Sequence, residues 1–360
     1  MLCQLLAATN RQKFRHVVVS LATPGILGAE IAALGIPISS PGCASAMDLL
    51  KLPRLMRLIR HERPALLHGW MYHANLAGLW AAHHLGIPCI WALHNCNLDA
   101  QAIRLRTRLL VQCSAWLSHR PTAIVSCSHT ALATHLAIGY RPRQSFVIPN
   151  GFDTERFRPD ATLGQEFRHE LGIPAATILI GLIARFDPQK DHRNFLAAAA
   201  CLVRRLSDCS TSPPVRFVLC GKDVVPGNEQ LTAWVTELGL AAHVHLLGMR
   251  HDIPRLLAAL DIATSSSWGE AFPMVVGEAM SCGVPGVVTD VGDSALLVGA
   301  TGVIVPPRQP EALAQGWLSL IQAGKNGRQA LGQAARDRIV SHYGIAAIAQ
   351  QYERLYQTLW

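Results

Sequence analysis

The chain has few charged residues, few aromatic residues and no long hydrophobic run. Charged residues make up 16% and aromatic residues 6% of its 360 residues, while half are apolar. No uninterrupted apolar stretch reaches the ~18 residues of a membrane-spanning helix, so no membrane-spanning helix is expected. The start, MLCQLLAATNRQKFRH, lacks the charge placement and apolar length of a signal peptide. This composition predicts a globular protein whose length suits two domains.

Paired cysteines and metal-binding histidine arrays are also absent from the sequence. The ten cysteines occur singly, with no C-x-x-C pair, which is typical of a reducing compartment where cysteine is a small core residue. The sixteen histidines form no H-E-x-x-H or similar array, so no structural metal is expected.

Apolar strand-like runs alternate with helical patterns from end to end, which indicates parallel sheets joined by crossover helices. Strands are predicted at 16–21, 66–70, 88–94, 123–128, 178–184, 216–221, 243–248, 262–267, 285–290 and 302–306. Helices are predicted near 27–34, 46–62, 74–85 and 101–118, and from about 309 to the end. The Pro-, Gly- and Asp-rich segment IPNGFDTERFRPD (148–160) is the natural linker between the two halves.

The positive charge is concentrated in the first half. Residues 1–160 contain 16 Lys and Arg against 7 Asp and Glu, and residues 161–360 contain 16 against 17, which together give the net charge of +8. One source is LLKLPRLMRLIRHERP, where basic residues recur at every third position: Lys51, Arg54, Arg57, Arg60 and Arg63. This stripe is either the solvated face of a helix or a docking face for an anionic membrane. Nucleic acid is not expected, because no binding motif accompanies the charge.

The segment SSSWGEAFPMVVGEAMSCGVPGVVTD (265–290) combines a small-residue loop, a helix and a following strand. Pro273 is suited to the first helical position, and Gly283 marks the helix end. Glu270 then precedes the helix, and Glu278 lies roughly 7–8 Å into it. The free N–H groups of the first turn make an anion site between these carboxylates. This order suits a sugar, a diphosphate and a ribose, which predicts a nucleotide-sugar pocket.

Two basic candidates follow the apolar strand ILIGLIA (178–184). Arg185 and Lys190 lie just past its carboxyl end, where open α/β sheets bind ligands. A guanidinium and an ammonium around one turn can hold the two phosphates of a leaving diphosphate. Their charge would offset the negative charge that grows as the glycosidic bond breaks.

Several segments follow the order of one known family over nearly the whole chain. The segment with Glu270 and Glu278 resembles the E-x7-E element of retaining glycosyltransferase family 4, which has the GT-B fold. Residues 148–160 look like that family's interdomain hinge, and IGLIARFDPQKD (180–191) looks like its phosphate-binding strand and loop. HGWMYHANLAG (68–78) and WALHN (91–95) resemble its acceptor-side domain.

The resemblance implies an α/β fold of two Rossmann-like domains facing each other across a cleft, with the last helix crossing back to the first domain. It places an acceptor-side domain at 1–155, a donor domain at 156–344 and the returning helix at 345–360. Family members begin with a strand and a Gly-rich loop, whereas this chain opens in a segment that reads as the following helix. We therefore expect the first strand to be missing, through a start-site error or a truncation.

The resemblance also implies roles for individual residues. Arg185 and Lys190 match residues that grip the diphosphate in place of a metal, so no metal cofactor is expected. Glu278 matches the glutamate that binds the ribose hydroxyls, Glu270 the one that contacts the donor sugar, and His94 a histidine that reaches that sugar. Backbone close to the donor is expected at Ala271, Phe272, Pro273, Met274, Gly181 and Gly221.

The implied activity is transfer of a sugar from a nucleoside diphosphate sugar to an acceptor hydroxyl with retention. The acceptor is expected to be a polysaccharide or a lipid-linked molecule, and the protein to be cytoplasmic with a peripheral contact to the inner membrane surface. The nucleotide, sugar and acceptor stay open. Two alternatives remain: a truncated relative that binds the donor without turnover, and a glycoside hydrolase that uses Glu270 and Glu278 as its carboxylates.

Overall fold

The computed structural model describes residues 1–42, 51–96, 98, 105–207 and 212–359. The chain forms two compact units, Met1–Gly151 with Ile345–Trp360, and Phe152–Gly344. The chain passes from the first unit to the second between Gly151 and Phe152, four residues before the predicted boundary at 155/156. The predicted helix starts at 46 and 101 lie outside the described residues.

The first unit has short parallel strands with helices between them. Its strands are Val18–Val19 (β1), Ile38–Ser39 (β2), Leu67–Trp70 (β3), Cys89–Leu93 (β4), Ala123–Ser126 (β5) and Ser145–Val147 (β6). Its helices are Leu2–Ala8 (α1), Gly25–Ala33 (α2), Leu52–Glu62 (α3), Met71–Leu85 (α4), Leu105–Leu117 (α5), His129–Ala137 (α6) and Ile345–Leu359 (α15). Strands β1 and β2 pair with each other, and the others follow the order β3-β4-β5-β6. All these pairings are parallel.

Helix α15 belongs to the core of the first unit, which confirms that the end of the chain returns to it. Ile348 and Tyr352 are almost fully buried and share a hydrophobic cluster with Ile90 of β4 and Val125 of β5. The hydroxyl oxygen of Tyr356, in the same helix, forms a 2.9 Å hydrogen bond with Nδ1 of His68. The apolar spacing of IAAIAQQYERLYQTL explains this packing, because it places one apolar face along the helix.

The second unit is built on one six-stranded parallel sheet. Its strands are Ile178–Ile183 (β7), Val215–Cys220 (β8), Val244–Leu246 (β9), Ile262–Ser265 (β10), Gly286–Thr289 (β11) and Val303–Val305 (β12). Its helices are Ala161–Glu170 (α7), His192–Ser207 (α8), Glu229–Glu237 (α9), Ile253–Ala259 (α10), Met274–Ser281 (α11), Ser294–Val298 (α12), Pro310–Gln322 (α13) and Gly324–His342 (α14). The central strands read as continuous apolar runs because helices cover both faces of a parallel sheet.

The strand order of this sheet is β12-β11-β10-β7-β8-β9. The chain therefore builds outward from β7 to β9 in one direction and from β10 to β12 in the other. Adjacent strands whose connections leave in opposite directions make a switch point, and a crevice opens there at their carboxyl ends. In this unit, the switch point lies between β7 and β10.

Most predicted elements are present, and the differences are in short or edge elements. Strands β2 and β6 have only two and three residues, and none of these residues is buried. The sequence therefore has no long apolar run at these positions, and neither strand was predicted. The run 16–21 contributes only Val18–Val19 as a strand. Pro273 occupies the N-cap position of α11, which begins at Met274 and not at the proline. Its φ of −82° and ψ of 84° keep it outside the helix.

Helix α11 is held from behind by α14. A Cβ atom at Gly332 of α14 would lie 1.9 Å from the carbonyl oxygen of Gly283, at the end of α11. Arg336 of α14 donates to the carbonyl oxygens of Ser281 and Phe157. These contacts fix α11 from its C-terminal end and leave its N-terminal end facing the switch point.

Replacement of Gly332 by alanine should destabilise the second unit. The added methyl group meets backbone atoms that cannot rotate away, so we expect a loss of about 1–3 kcal/mol in the free energy of unfolding. Denaturant unfolding followed by circular dichroism measures this loss. Gly227→Ala is the control, because no atom lies within 4 Å of the added Cβ. Equal stability of the two variants would contradict the tight α11–α14 contact.

Candidate functional site

The loops after β7 and β10 meet at the switch point through an ion pair. Nζ of Lys190, in the turn after β7, contacts Oε1 of Glu270, in the loop after β10. The two side chains are 20% and 16% exposed. The hydroxyl of Ser267 also donates to Oε1 of Glu270, at 3.1 Å. The structure thus brings together a predicted phosphate-binding lysine and the predicted sugar-binding glutamate.

Hydrogen bonds fasten these two loops to each other. The Ser266 hydroxyl donates to the carbonyl oxygen of Lys190 at 2.7 Å. The backbone N–H of Trp268 donates to the carbonyl oxygen of Gln189 at 2.9 Å, and its indole N–H donates to that of Pro188 at 2.7 Å. Because both loops are fastened along their length, the lysine and the glutamate are held in place before any ligand binds.

The first turn of α11 opens directly beyond Glu270. Its N-cap residue, Pro273, makes no side-chain hydrogen bond to the helix, and the N–H groups of a first helical turn have no partner inside the helix. They leave partial positive charge suited to an anion. Ala271 is half-buried, and Phe272, which stacks on Phe152 with ring centroids 6.0 Å apart, is buried. This stacking fixes the backbone that leads into Met274.

Glu278 lies in the fifth position of α11 and is half-buried. Burial raises the pKa of its carboxyl to about 7, against the opposing effect of the positive charge of Arg156. Burying an ionised carboxylate is costly unless donors hydrogen-bond to it. Glu278 is therefore suited to accept hydrogen bonds from ligand hydroxyls.

Arg185 follows β7 as predicted but does not join the Lys190–Glu270 pair. Its guanidinium donates to Oδ2 of Asp187, from Nε at 3.0 Å and from Nη2 at 2.9 Å, and its side chain is 59% exposed. This arrangement keeps the arginine at the outer side of the turn, with its charge balanced by a neighbouring carboxylate.

Two of the predicted glycines have different surroundings. Gly221, just after β8, has a φ of 157°, and a Cβ there would lie 2.1 Å from the carbonyl oxygen of Ala184. It therefore allows the loops after β7 and β8 to approach each other. Gly181 lies within β7, where a Cβ would meet Leu260 at 2.5 Å. Gly181 serves the packing of the sheet against Leu260, and we leave it out of the candidate site.

His94 lies in the first unit, directly after β4. Its ring stacks on Trp70 with centroids 4.8 Å apart, and its Nε2 is buried without a hydrogen-bond partner among the described residues. Burial lowers the pKa of His94 to about 4, so the imidazole is neutral near pH 7. Its neighbour His68 is also neutral, because burial lowers its pKa to about 3.

Three further residues shape the site and were not predicted. Gly292 has a φ of 58°, and a Cβ there would lie 2.0 Å from the carbonyl oxygen of Glu270, so only glycine allows this loop to lie against the Glu270 backbone. Ser267 orients the glutamate. The guanidinium of Arg308 lies 4.8 Å from the centre of the Trp268 ring. The V-G-D sequence at 291–293 indicates a turn and could have identified Gly292, whereas no sequence pattern indicates the roles of Ser267 and Arg308.

Two general properties bear on cofactors and membranes. In the described part of the chain, no group of three or more His, Cys, Asp or Glu side chains is arranged to hold a metal ion. Among the same residues, no helix is both long and apolar enough to cross a bilayer.

The substitution Glu278→Gln should change how stability depends on pH. A carboxyl whose pKa is raised in the fold contributes stability below its unfolded pKa, and that contribution is lost as the pH rises through the folded value of about 7. Between about pH 5 and pH 8, the free energy of unfolding of the wild type should fall by about 1–3 kcal/mol relative to the variant. Urea titrations at several pH values test this, with exposed Glu311→Gln as control. Parallel curves for wild type and Glu278→Gln would contradict the raised pKa.

Family models match both halves of the chain. Residues 1–156 match the model described as Glycosyltransferase Family 4. Residues 177–323 match the model described as Glycosyl transferases group 1. The second match contains Arg185, Lys190, Glu270 and Glu278, and the first contains His94. These matches favour glycosyl transfer over the glycoside hydrolase alternative.

Individual relatives are similar over different lengths. UDP-Gal:alpha-D-GlcNAc-diphosphoundecaprenol alpha-1,3-galactosyltransferase of Escherichia coli is 25% identical over 277 residues, which are 76% of this chain and 70% of the relative. D-inositol 3-phosphate glycosyltransferase of Corynebacterium urealyticum is 30% identical over 221 residues, which are 59% of this chain and 51% of the relative. The chain thus matches about half the length of the corynebacterial relative.

Solved structures share the fold of the whole chain. Anabaena HepE in complex with UDP and glucose has a TM-score of 0.83 at 23% identity, over 99% of this chain and 95% of that chain. A glycosyltransferase from Rickettsia africae has a TM-score of 0.83 at 16% identity, over 99% and 94%. These similarities confirm the predicted fold class of two Rossmann-like domains. With glycosyltransferase domains matched in both halves and the GT-B fold shared over its length, the chain belongs to the GT-B glycosyltransferases with family 4 and group 1 domains.

Proposed function

We propose that the protein transfers a sugar from a nucleoside diphosphate sugar to an acceptor hydroxyl with retention. The observation that carries the proposal is the Lys190–Glu270 pair at the switch point. It lies directly before the first turn of α11, whose N-cap residue Pro273 makes no side-chain hydrogen bond to the helix. This arrangement combines a cation, free backbone N–H groups and a hydrogen-bond-accepting carboxylate within one short stretch of surface. A diphosphate that links a sugar to a ribose needs these three kinds of partner.

The proposed donor lies along the axis from Glu270 to Glu278. The sugar hydroxyls donate to Glu270, the diphosphate accepts from Lys190 and from the first-turn N–H groups of α11, and the ribose hydroxyls donate to Glu278. The half-buried position of Glu278 supports the last contact, since two hydroxyl donors stabilise its ionised form. His94 of the first unit stays a predicted contact of the donor sugar. It is neutral near pH 7, and its Nε2 has no hydrogen-bond partner among the described residues.

Binding of the donor rearranges charges that are already present. Without a ligand, Lys190 and Glu270 neutralise each other, and Arg185 is paired with Asp187. The diphosphate competes with both carboxylates for the two cations. Its binding releases a Glu270 oxygen for the sugar and brings the exposed Arg185 toward the phosphate.

The chemical step needs no nucleophile from the protein. The bond between the anomeric carbon and the phosphate oxygen breaks, the acceptor oxygen bonds to that carbon on the same face, and the acceptor proton passes to the leaving phosphate. Lys190, Arg185 and the α11 N–H groups stabilise the negative charge that develops on the diphosphate. The protein otherwise contributes orientation of the two reactants. No metal is required by this scheme.

The acceptor is proposed to be lipid-linked or a polysaccharide, in cell-surface polysaccharide or glycolipid synthesis. The names of the relatives include a diphosphate-linked lipid acceptor and an inositol phosphate acceptor, both anionic. The excess of basic residues in the first unit suits such acceptors. A cytoplasmic protein in peripheral contact with the inner membrane surface would meet them.

A thermal-shift series with UDP, GDP and ADP tests the donor site. UDP is expected to raise the melting temperature, because HepE was solved with UDP and the E. coli relative is named for a UDP-sugar. At a UDP concentration ~100 times the dissociation constant, the stabilisation is about 2.7 kcal/mol. Glu278→Ala should weaken UDP binding roughly 10- to 100-fold through loss of two hydrogen bonds, whereas Glu311→Ala should not. Unchanged affinity in Glu278→Ala would overturn the proposed position of the ribose.

The double substitution Arg185→Ala with Lys190→Ala should lower the rate of transfer far more than the stability. Loss of charge stabilisation on the leaving diphosphate is expected to reduce kcat by about 100-fold or more. Radiolabelled sugar transfer and thermal melting measure the two effects. Arg204→Ala with Lys325→Ala removes the same charge from exposed positions of the second unit and serves as control. Full activity of the Arg185/Lys190 variant would exclude the diphosphate clamp.

A further inference from the structure

Helix α5 presents large apolar side chains to solvent. Leu105, Leu109 and Trp116 are 70%, 57% and 72% exposed. At about 100° per residue, Leu109 and Trp116 lie only about 40° and 20° around the helix from Leu105. The three side chains therefore form one stripe, which we name the α5 face. The opposite side of the helix, with Val111, is buried in the first unit.

Two arginines flank the α5 face. Arg106 and Arg108 are exposed and lie about 80° on either side of the centre of the stripe. Long arginine side chains can lay their methylene groups along apolar surface while the guanidinium stays in a polar layer. This order of apolar centre and basic edges is typical of helices that lie in a membrane interface.

The sequence that contains α5 has a long stretch with charge of one sign. From residue 100 to residue 152, the sequence contains six arginines and no Asp or Glu. No carboxylate within that stretch can therefore neutralise Arg106 and Arg108. An anionic partner complements this surface, and the exposed tryptophan suits the boundary between water and hydrocarbon.

Helix α3, the basic stripe seen in the sequence, differs from α5. Its apolar residues Leu55, Met56 and Ile59 are buried in the first unit, and Arg54 and Arg57 are among its exposed residues. Its other apolar residues, Leu52 and Leu58, are half-buried and only Pro53 is exposed, so α3 offers charge with little apolar surface that could enter lipid. Long-range attraction to an anionic surface is all that α3 can supply, whereas α5 supplies attraction and insertion.

We propose that the α5 face docks the protein onto an anionic lipid bilayer, with Leu105, Leu109 and Trp116 in the hydrocarbon boundary and Arg106 and Arg108 at the headgroup phosphates. The proposal deepens the peripheral membrane contact of the proposed function and rests on residues of the first unit, whereas Lys190, Glu270 and Glu278 belong to the second. A failure here leaves nucleotide binding by the second unit untouched, so the two proposals can be told apart.

Co-sedimentation with vesicles tests the docking. The wild type should bind vesicles of equal phosphatidylglycerol and phosphatidylcholine, and should bind far less to phosphatidylcholine alone or in high salt. Arg106→Ala with Arg108→Ala should lower binding roughly 10-fold or more. Leu109→Ser with Trp116→Ser should lower it to a similar extent even at low salt, because insertion is lost.

Matched controls come from the second unit. Val340→Ser removes an apolar side chain that is 48% exposed, and Arg204→Ala with Lys325→Ala removes two exposed charges. Both controls should bind vesicles as the wild type does. An unchanged melting temperature and an unchanged shift with UDP show that each variant is folded.

Trp116→Phe provides a second test that barely disturbs the fold. Brominated phosphatidylcholine, mixed with phosphatidylglycerol, should quench the tryptophan fluorescence of the wild type more than that of Trp116→Phe. Equal quenching, or equal vesicle binding by the α5 variants and the controls, would overturn the proposal. It would also be overturned if the wild type self-associated through this face, lost that association in Leu109→Ser with Trp116→Ser, and did not bind vesicles.

Discussion

The reversal of strand order between β7 and β10 is the constraint on which the candidate site depends. Because the connections on its two sides leave in opposite directions, no crossover helix covers the carboxyl ends of these strands. The turn that carries Lys190 and the loop that carries Glu270 fill that edge and bond to each other. The packing of α14 behind α11 then directs a free helix N-terminus at the same edge.

The two loops of the site are hydrogen-bonded to each other, and the cations of the turn after β7 are paired with carboxylates. Each cation of the turn after β7 already has a carboxylate partner, and a partly buried ion pair recovers little more than the cost of removing its charges from water. A diphosphate can therefore replace these pairs at a small net cost. Close backbone approaches at Gly221 and Gly292 keep the surrounding loops in place while the partners are exchanged.

The first unit separates neutral buried groups from surface charge. His68 and His94 are held uncharged by burial, so they add nothing to the positive charge of this unit near neutral pH. That charge lies on exposed arginines, among them those of α3 and α5. The same unit thus has an uncharged polar interior and a basic exterior.

Local patterns in the sequence determined the central strands, the linker, the helix between Glu270 and Gly283, and the positions of the candidate cations, because each depends on neighbouring residues alone. The edge strands β2 and β6 form only because an adjacent strand offers hydrogen-bond partners, so no apolar run in the sequence predicts them. Lys190 and Glu270 are 80 positions apart, and only the pairing of β7 with β10 brings them together. The α5 face was likewise decided by the tertiary structure, since a leucine or tryptophan in a helical pattern is exposed only when packing leaves its side of the helix uncovered.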